Sequence, residues 1–354
     1  MEFPIFKTKV EGPDRKFDLN NPDERKDYFE HKVGPEIQLL KSYLKNSTFV
    51  GYLIGKKNSG KGTYSKLFME AVGKDHVGHV SIGDIVRDVH QGLESEDSRK
   101  QLVDFLEKNY RGFHSVEETI NLIEGRSQAT LIPAELIVAL VKYEISKRKK
   151  QAIFVDGFPR AHDQINYSLY LKELIGYRDD PDFFVFINIP DSIIEERIKY
   201  RVICPICQTP RSLKLLATKD VGYDKETKSF YLMCDTPSCN KARMVPKPGD
   251  ELGIEPIRKR LEVDNQIFEK LLALTGVPKV YLRNSIPAAT ALDLVDDYEL
   301  TPAYNYELDS EGKVKIIEKP WTVKDEQGVE SYSLLPPAVV VAMIKQIAQV
   351  LGPK

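Results

Sequence analysis

The chain has 354 residues, of which 42% are hydrophobic and 29% charged, so it can bury a full core in one large domain or two. Its 51 basic and 53 acidic residues give a net charge of −2, which excludes a protein-wide positive field for nucleic acid or an anionic membrane. No apolar run reaches the roughly 18 residues that cross a bilayer, and the N-terminal residues lack a signal-peptide pattern. We therefore expect a cytoplasmic protein that binds neither nucleic acid nor membrane.

Residues 1–48 are interpreted as an N-terminal extension that precedes a core of residues 49–354. Within the extension, the stretch 11–26 is charged and contains Pro and Asn, which is typical of a surface arm. The sequence by itself indicates no role for the extension.

A buried strand is predicted over residues 49–54, and a glycine-rich loop with the letters GKKNSGKGT follows it. Its glycines permit the close approach at which backbone N–H groups turn inward around phosphate oxygens, at the start of a helix. A lysine then supplies a mobile cation for the β- and γ-phosphates. The usual motif places a hydroxyl directly after this lysine, whereas a glycine intervenes here. The segment predicts an ATP site formed by Gly55, Ser59, Gly60, Lys61, Gly62 and Thr63.

The chain continues with an alternation of strand and helix patterns. Further strands are predicted over 77–80, 152–155 and 183–189, each followed by a helical pattern, which implies a parallel sheet with right-handed crossovers. A ligand is expected at the carboxyl edge of such a sheet. Two segments, 279–283 and 329–334, remain open as the last core strand.

All four cysteines of the chain are concentrated in one short stretch. They form two pairs, with two residues between the first pair and four between the second, as in structural zinc sites. Four thiolates would leave no coordination position for substrate, so the predicted role is structural. Disulfides or unpaired thiols remain as alternatives, although a cytosolic compartment disfavours disulfides. The predicted zinc ligands are Cys204, Cys207, Cys234 and Cys239.

Residues 300–330 differ in composition from the rest of the core and are interpreted as an insertion. Two strand-like runs flank a short turn that contains Gly312, which predicts a β-hairpin. The sequence does not indicate what this hairpin does.

The glycine-rich loop and the segments 79–87, 154–160 and 189–201 together resemble the nucleoside monophosphate kinases, and adenylate kinase most closely. The resemblance covers about residues 49–274 and the last helix. It explains neither the N-terminal extension nor the hairpin.

The resemblance implies a P-loop NTPase fold, a three-layer α/β arrangement around a parallel sheet. It also implies a monophosphate-binding segment over 84–130 and a zinc-stapled lid over 203–250. The implied reaction is reversible phosphoryl transfer from Mg-ATP to AMP, which gives two ADP. We expect a monomer whose partners are these small-molecule substrates.

Phosphoryl transfer passes through a loose transition state with charge on the equatorial oxygens, so it needs converging cations more than a general base. By resemblance, Arg87 and Arg160 would grip the monophosphate, and Arg197 would stack on the ATP adenine. Arg201 lies four residues after Arg197 and would share its helix face. The predicted catalytic residues are Lys61, Arg87, Arg160, Arg201 and Arg260.

The resemblance also assigns the monophosphate side and the magnesium ion. Gln164 would read the Watson–Crick edge of AMP, because an amide offers both a donor and an acceptor. The carboxylate of Asp156 would hold the water shell of Mg²⁺. The predicted AMP-binding residues are Ser81, Asp84, Arg87, Gly157, Arg160 and Gln164.

Two positions depart from the family pattern. Ile82 stands where adenylate kinases usually carry Thr, and Lys247 stands where the lid usually carries an Arg with its planar fork. Ile82 keeps a kinase for CMP, UMP or GMP open as an alternative, and the unexplained arm and hairpin leave a non-catalytic nucleotide-binding zinc-ribbon module as another. His79, His90 and His162 complete no metal-ligand pattern and are interpreted as structural or surface residues.

Overall fold

A computed structural model describes residues 3–10, 15–125 and 132–352. Part of the predicted surface arm, residues 11–14, and the end of the predicted monophosphate-binding segment, residues 126–130, lie outside the described residues. Within the described ranges, no helix is long and apolar enough to cross a membrane.

The first part of the chain alternates helices and strands. In chain order it forms α1 (Pro22–Tyr43), β1 (Val50–Gly55), α2 (Lys61–Val72), β2 (Val77–Ser81), α3 (Ile82–Gly92), α4 (Glu96–Asn109), α5 (Val116–Glu124), α6 (Ala134–Ser146), β3 (Ala152–Asp156), α7 (Gln164–Leu174), β4 (Asp182–Asn188) and α8 (Asp191–Lys199).

The second part begins with short antiparallel strands and ends on a long apolar helix. It forms β5 (Arg201–Ile203), β6 (Pro210–Ser212), β7 (Val221–Asp224), β8 (Ser229–Leu232), β9 (Val245–Pro246), α9 (Arg258–Leu272), β10 (Lys279–Arg283), β11 (Ser285–Pro287), α10 (Ala291–Leu294), β12 (Ala303–Leu308), β13 (Val314–Lys319), β14 (Thr322–Lys324), β15 (Glu330–Ser333) and α11 (Pro336–Leu351).

Five strands form the central parallel sheet in the order β10-β4-β1-β3-β2. The predicted α/β fold around a parallel sheet is confirmed. Of the two candidates for the last core strand, 279–283 is the edge strand of this sheet, whereas Glu330–Ser333 pairs with β11 and β14 in a small antiparallel sheet. Because parallel strands end at one edge, the residues that follow β1, β2 and β3 are brought together there.

Side chains of the central sheet alternate between two hydrophobic layers. In β1, Leu53 belongs to the cluster that contains α1, α2 and α11, whereas Tyr52 and Ile54 belong to the cluster that contains α3, α6 and α9. This period of two is what a strand buried on both faces requires. Helices on both sides give the predicted three layers.

The N-terminal segment is part of the core. Helix α1 packs against α2 and α11. Phe17 and Leu19, just before it, are only 4% and 5% exposed, so the predicted surface arm over 11–26 is wrong for these residues. Two apolar side chains in a polar stretch gain more by burial against α1 than the stretch gains from full hydration.

A buried ion-pair network joins the N-terminal segment to the region after α10. The Nζ atom of Lys32 lies 2.6 Å from Asp296 and 3.6 Å from Glu299, whose side chain is fully buried. Glu299 also accepts hydrogen bonds from the hydroxyls of Tyr28 and Thr8. The network therefore replaces the lost hydration of both carboxylates with charge and hydrogen bonds.

We expect Lys32→Met to lower the free energy of unfolding by about 3 kcal/mol, because it leaves buried carboxylates without their cation. Arg15→Met is the matched control, since Arg15 pairs with Asp27 where both side chains are 57% exposed; it should cost less than about 1 kcal/mol. Chemical denaturation of both variants measures the difference. Equal losses for the two variants would contradict this account of the network.

The predicted hairpin is confirmed as β12 and β13. It lies against the cysteine-containing segment, because the Tyr304 amide donates to the Lys214 carbonyl at 2.7 Å and the Tyr306 hydroxyl donates to the Leu213 carbonyl at 2.6 Å. The ring of Tyr306 also packs beside Phe230 at 5.6 Å between centroids. The hairpin thus contacts the predicted lid directly.

Candidate active site

The glycine-rich loop connects β1 to α2 at the carboxyl edge of the sheet. Gly60 has a φ of 103°, a left-handed conformation that glycine adopts without strain. A Cβ atom at Gly55 would lie 2.9 Å from the Ser59 hydroxyl, so this position has no room for a side chain. The Nζ atom of Lys61 donates to the carbonyls of Gly55 and Lys56 at 2.8 and 2.9 Å. The loop therefore curls around its own lysine.

We expect Gly60→Ala to lower the free energy of unfolding by about 1–2 kcal/mol, because the left-handed φ would be strained and the new Cβ would lie 2.9 Å from the Tyr64 ring. Gly62→Ala is the matched control. It lies in the first turn of α2, and its Cβ would meet nothing nearer than 3.9 Å. Thermal or denaturant unfolding should show the control unchanged or slightly more stable, and a loss as large as that of Gly60→Ala would refute the argument.

Two cavities meet around Lys61 of the loop, and a third, of about 1320 Å³, reaches the loop at Thr63. Of the two that meet at Lys61, the large cavity, of about 690 Å³, has the volume of a small-molecule site. It is lined by the loop and by Arg197 and Arg201. The small cavity, of about 170 Å³, is lined by Arg160, Arg260 and the end of β3. The residues that line both are Asn58, Lys61 and Asp156.

Asp156 ends β3 at this junction. One of its carboxylate oxygens lies 3.9 Å from the Nζ atom of Lys61, and the other lies 3.9 Å from the Nε2 atom of His79. Burial lowers the pKa of Lys61, and the Asp156 carboxylate counteracts this effect. Burial likewise lowers the pKa of His79, whose Nε2 atom is buried without a hydrogen-bond partner in the described part of the chain. His79 therefore belongs to the junction rather than to the surface.

Positive charge accumulates around the small cavity. The pKa of Lys57 is lowered, first by burial and then by four neighbouring cations. These are Arg260, Lys247, Arg201 and Arg160. Lys247 is thus close enough to act on this site, although it carries a point charge where the resemblance expects a guanidinium. Such a concentration of cations favours an anionic ligand.

Arg201 lies beyond the helix on which it was expected. Helix α8 ends at Lys199, and Arg201 begins β5, so its predicted helix face shared with Arg197 is wrong. Both residues nevertheless line the large cavity. The guanidinium of Arg201 makes two hydrogen bonds to Asp250, at 2.6 and 2.7 Å, and a third to the Asn58 side chain at 3.3 Å. It therefore links the cysteine-containing segment to the loop.

Arg160 is held by the residue predicted to read the base. The Oε1 atom of Gln164 accepts a hydrogen bond from the backbone N–H of Arg160 at 2.7 Å, and Gln164 is only 2% exposed. The guanidinium of Arg160 also approaches the turns at Gly157 and Gly83, since a Cβ built there would lie 3.3 and 3.5 Å from its Nη2 atom. Arg160 thus bridges the end of β3 and the start of α3. Base reading by Gln164 stays a prediction.

The remaining predicted AMP residues lie at the start of α3. The Ser81 hydroxyl caps this helix by accepting from the Asp84 amide at 3.3 Å. Arg87 is 59% exposed and pairs with Asp84 at 2.6 Å. Within the described residues, these three side chains line neither of the two cavities.

The four cysteines come together as a single group. The four sulfur atoms all lie within 4.8 Å of one another; they belong to Cys204, Cys207, Cys234 and Cys239. Hydrogen bonding to Thr209 lowers the pKa of Cys207, whereas burial and the neighbouring thiols raise the pKa of Cys239. Four thiols this close cannot all ionise without a cation, so the group is suited to a metal ion.

Sequence reasoning missed several side chains of the site. Asp264 accepts a hydrogen bond from the Lys57 amide at 2.9 Å and lines the small cavity. Its position four residues after Arg260 on α9 was the available signal. Asn58 and Tyr64 could have been predicted from their position, because Asn58 lies in the glycine-rich loop and Tyr64 follows it directly. Asn284, which contacts Arg197, carried none, because the two residues are far apart in the sequence.

Comparison with known proteins agrees with this geometry. The chain is 28% identical over 223 residues to an adenylate kinase of Syntrophomonas wolfei, which covers 62% of this chain and 83% of that protein. It is equally similar, over 221 residues, to an adenylate kinase of Clostridium novyi, again with 62% and 83% coverage. The chain is thus similar in sequence to several adenylate kinases.

A shorter match places the chain beside a third adenylate kinase, from Thermotoga neapolitana. It is 27% identical over 161 residues, or 45% of this chain and 61% of that protein. No protein-family model matches the chain. The four clustered cysteines are arranged as in the zinc-type lid that some adenylate kinases carry.

Proposed function

We propose that this protein is an adenylate kinase, which transfers a phosphoryl group reversibly from Mg-ATP to AMP and gives two ADP. Similarity to several adenylate kinases supports the class of nucleoside monophosphate kinases. The observation that carries the proposal is the meeting of two cavities at Lys61 and Asp156. A transferase for two nucleotides needs two sites that share one point of transfer.

The large cavity is assigned to ATP. Its loop offers backbone N–H groups at the N-terminus of α2, and Lys61 lies at its floor. The Lys61 ammonium now donates to the carbonyls of Gly55 and Lys56. When ATP binds, it would donate to phosphate oxygens instead. Arg201 lies beside the loop and would add charge to the transferring phosphoryl group.

The small cavity is assigned to the phosphate of AMP. Arg160 and Arg260 line it, and both can bind phosphate through a planar guanidinium. In the proposed reaction, an oxygen of the AMP phosphate forms a bond to the γ-phosphorus as the bond to the β–γ bridging oxygen breaks. The cations around Lys57 would neutralise the charge that spreads over the γ-oxygens.

Asp156 and Thr63 fit a magnesium ion bound with ATP. Both residues line the large cavity, and a carboxylate and a hydroxyl are the oxygen ligands that Mg²⁺ prefers. When bound, Mg²⁺ neutralises phosphate charge during transfer. The role of Asp156 itself is to orient the ion's water shell while it faces Lys61.

AMP is proposed because Gln164 stands where the resemblance places the residue that reads adenine; its Oε1 atom already accepts from the Arg160 N–H, so its Nε2 group is the part left to donate to the base. Ile82, which is 2% exposed, supplies no hydroxyl at the position where adenylate kinases usually carry Thr, and this keeps CMP, UMP or GMP open as a second candidate, which Gln164 opposes. Turnover measured with each monophosphate in turn decides between them. The highest kcat/KM with AMP is expected.

We expect Lys61→Ala to lower turnover by more than about tenfold, because this cation acts on the phosphates during transfer. Lys74→Ala removes an exposed lysine just beyond the same helix and serves as the control. A coupled assay for ADP formation measures both variants. A smaller loss in Lys61→Ala would show that the role is wrong, and no ADP formation by the wild-type protein would favour the non-catalytic nucleotide-binding module.

The four cysteines fit zinc, because sulfurs within 4.8 Å of one another can surround one tetrahedral ion. We propose a structural ion that holds the lid over residues 203–250, with no step of the reaction at the metal. Three of the four cysteines, Cys204, Cys234 and Cys239, are buried in a small hydrophobic cluster, whereas Cys207 is exposed. Metal binding would then supply folding free energy to a segment with few other apolar contacts.

We expect one zinc ion per chain by elemental analysis. Cys234→Ser should lower the thermal midpoint and increase proteolysis between residues 203 and 250, while ATP still binds through the loop on the central sheet. Ser229→Ala, an exposed change in the same segment, is the control. A metal-free native protein, or four thiols that titrate freely in it, would refute the proposal.

A cytoplasmic location, a monomeric state and the lack of nucleic-acid or membrane partners remain predictions from the sequence. The division into an extension over 1–48, a core over 49–354 and inserts over 84–130, 203–250 and 300–330 is likewise proposed. Limited proteolysis would reveal the boundaries.

A further inference from the structure

One buried amide joins the segment between β10 and α11 to the large cavity. Asn284 follows β10 directly and is fully buried. Its backbone N–H donates to the Asn188 carbonyl at 3.0 Å, and its carbonyl accepts from the Leu334 amide at 2.8 Å. The chain leaves the central sheet after Asn284 and approaches α11 at Leu334, so this residue closes the neck of the whole excursion over 285–334, although parts of it, such as Ile286 and Val295, still pack in the core.

The side chain of Asn284 uses its full hydrogen-bonding capacity. Its Oδ1 atom accepts from Arg197 Nη2 at 3.2 Å and from Ser333 Oγ at 2.9 Å. Its Nδ2 atom donates to the Tyr64 hydroxyl at 2.8 Å and to the Leu334 carbonyl at 3.2 Å. An amide has two donors and one acceptor oxygen with two lone pairs, so all positions are occupied. A rotated amide would place its nitrogen against the guanidinium, which has no acceptor, so the orientation is fixed.

Two of these partners face the proposed ATP site. Arg197 and Tyr64 both line the large cavity, and Leu335 and Pro336 line it just after the neck. Burial raises the pKa of Tyr64, and the guanidinium of Arg197 opposes this rise, as a nearby cation must. Arg197 has many rotamers in water, and ordering such a side chain costs free energy each time it engages a ligand.

We propose that Asn284 is a positioning residue that holds Arg197 in place for the base of a nucleoside triphosphate in the large cavity. This inference rests on the proposed function. It also gives the excursion over 285–334 a role, because Ser333 and Leu334 at its returning end fix the amide that fixes the arginine. Arg197 is therefore held, through Asn284, by a segment remote in sequence.

Removing the amide should affect the two nucleotides differently. In Asn284→Ala, Arg197 loses the Oδ1 acceptor of Asn284 and, among the described residues, keeps only its interaction with Tyr64, whereas Arg160 and the small cavity are untouched. We expect the KM and the Kd for ATP to rise about tenfold, which is the value of one hydrogen bond to a charged group. The KM for AMP should stay within about twofold, and kcat should change less than KM for ATP.

Asn284→Asp tests rescue, because it keeps an oxygen for the guanidinium while it loses the donors to Tyr64 and Leu334. It should bind ATP more tightly than Asn284→Ala. Gln346→Ala is the matched control. Gln346 is another buried amide, which hydrogen-bonds both the N–H and the carbonyl of Tyr281 at 2.8 Å, on a different part of the core. Its loss should lower the thermal midpoint without changing the Kd for ATP.

The experiment measures ATP binding by calorimetry and steady-state kinetics with each substrate varied, on the full chain. A double variant with Arg197→Ala completes it. If Asn284 acts through Arg197, the double variant should bind ATP no more weakly than Arg197→Ala alone. Additive losses, equal effects on ATP and AMP, or Asn284→Ala behaving like Gln346→Ala would overturn the proposal.

Different results would overturn the positioning role of Asn284 and the proposed function of the protein. A wild-type protein that binds ATP, is weakened by Arg197→Ala and is unaffected by Asn284→Ala would overturn the positioning role alone. A wild-type protein that neither binds ATP nor forms ADP would overturn the proposed function. Should Asn284→Ala fail to fold, Ser333→Ala loosens the same amide. It should raise the Kd for ATP selectively, and an unchanged Kd would overturn the proposal.

Discussion

Several lysine and arginine side chains lie close together at the carboxyl edge of the central sheet, and the packing of the core keeps them there against their mutual repulsion. Burial lowers the pKa of both Lys57 and Lys61, and the surrounding arginines lower that of Lys57 further. Asp156 and Asp264 offset only part of this repulsion. The two hydrophobic layers stabilise the strained arrangement, because the loop is anchored to β1 and α2 within them. A polyphosphate ligand would relieve the repulsion, so the same crowding that opposes folding favours binding.

Segments outside the central sheet complete the site. Arg201 reaches the loop from β5 and is held by Asp250, which follows the cysteine group. The hairpin of β12 and β13 lies against that same segment through Tyr306. Because these contacts connect separate segments, a movement of the cysteine-containing segment would change the positions of both Arg201 at the loop and the hairpin.

The motif-bearing parts of the site were readable from the sequence. Strands β1 to β4 were predicted close to their observed bounds, since short apolar runs give a strong local signal. Other expectations failed where contacts are long-range. Arg201 left its predicted helix for β5, which pairs with β6 and β9. Phe17 and Leu19 turned inward.

By itself, the sequence determined the parallel sheet, the glycine-rich loop and the cysteine group, because each depends on residue types in short local patterns. Only the tertiary structure decided which strand closes the sheet, where Arg201 lies and what holds Arg197. Asn284 and Arg197 meet because the ends of β4 and β10 are neighbours in the sheet, at Asn188 and Arg283. No local pattern encodes such a contact. It follows from strand order, which is set by the packing of the whole core.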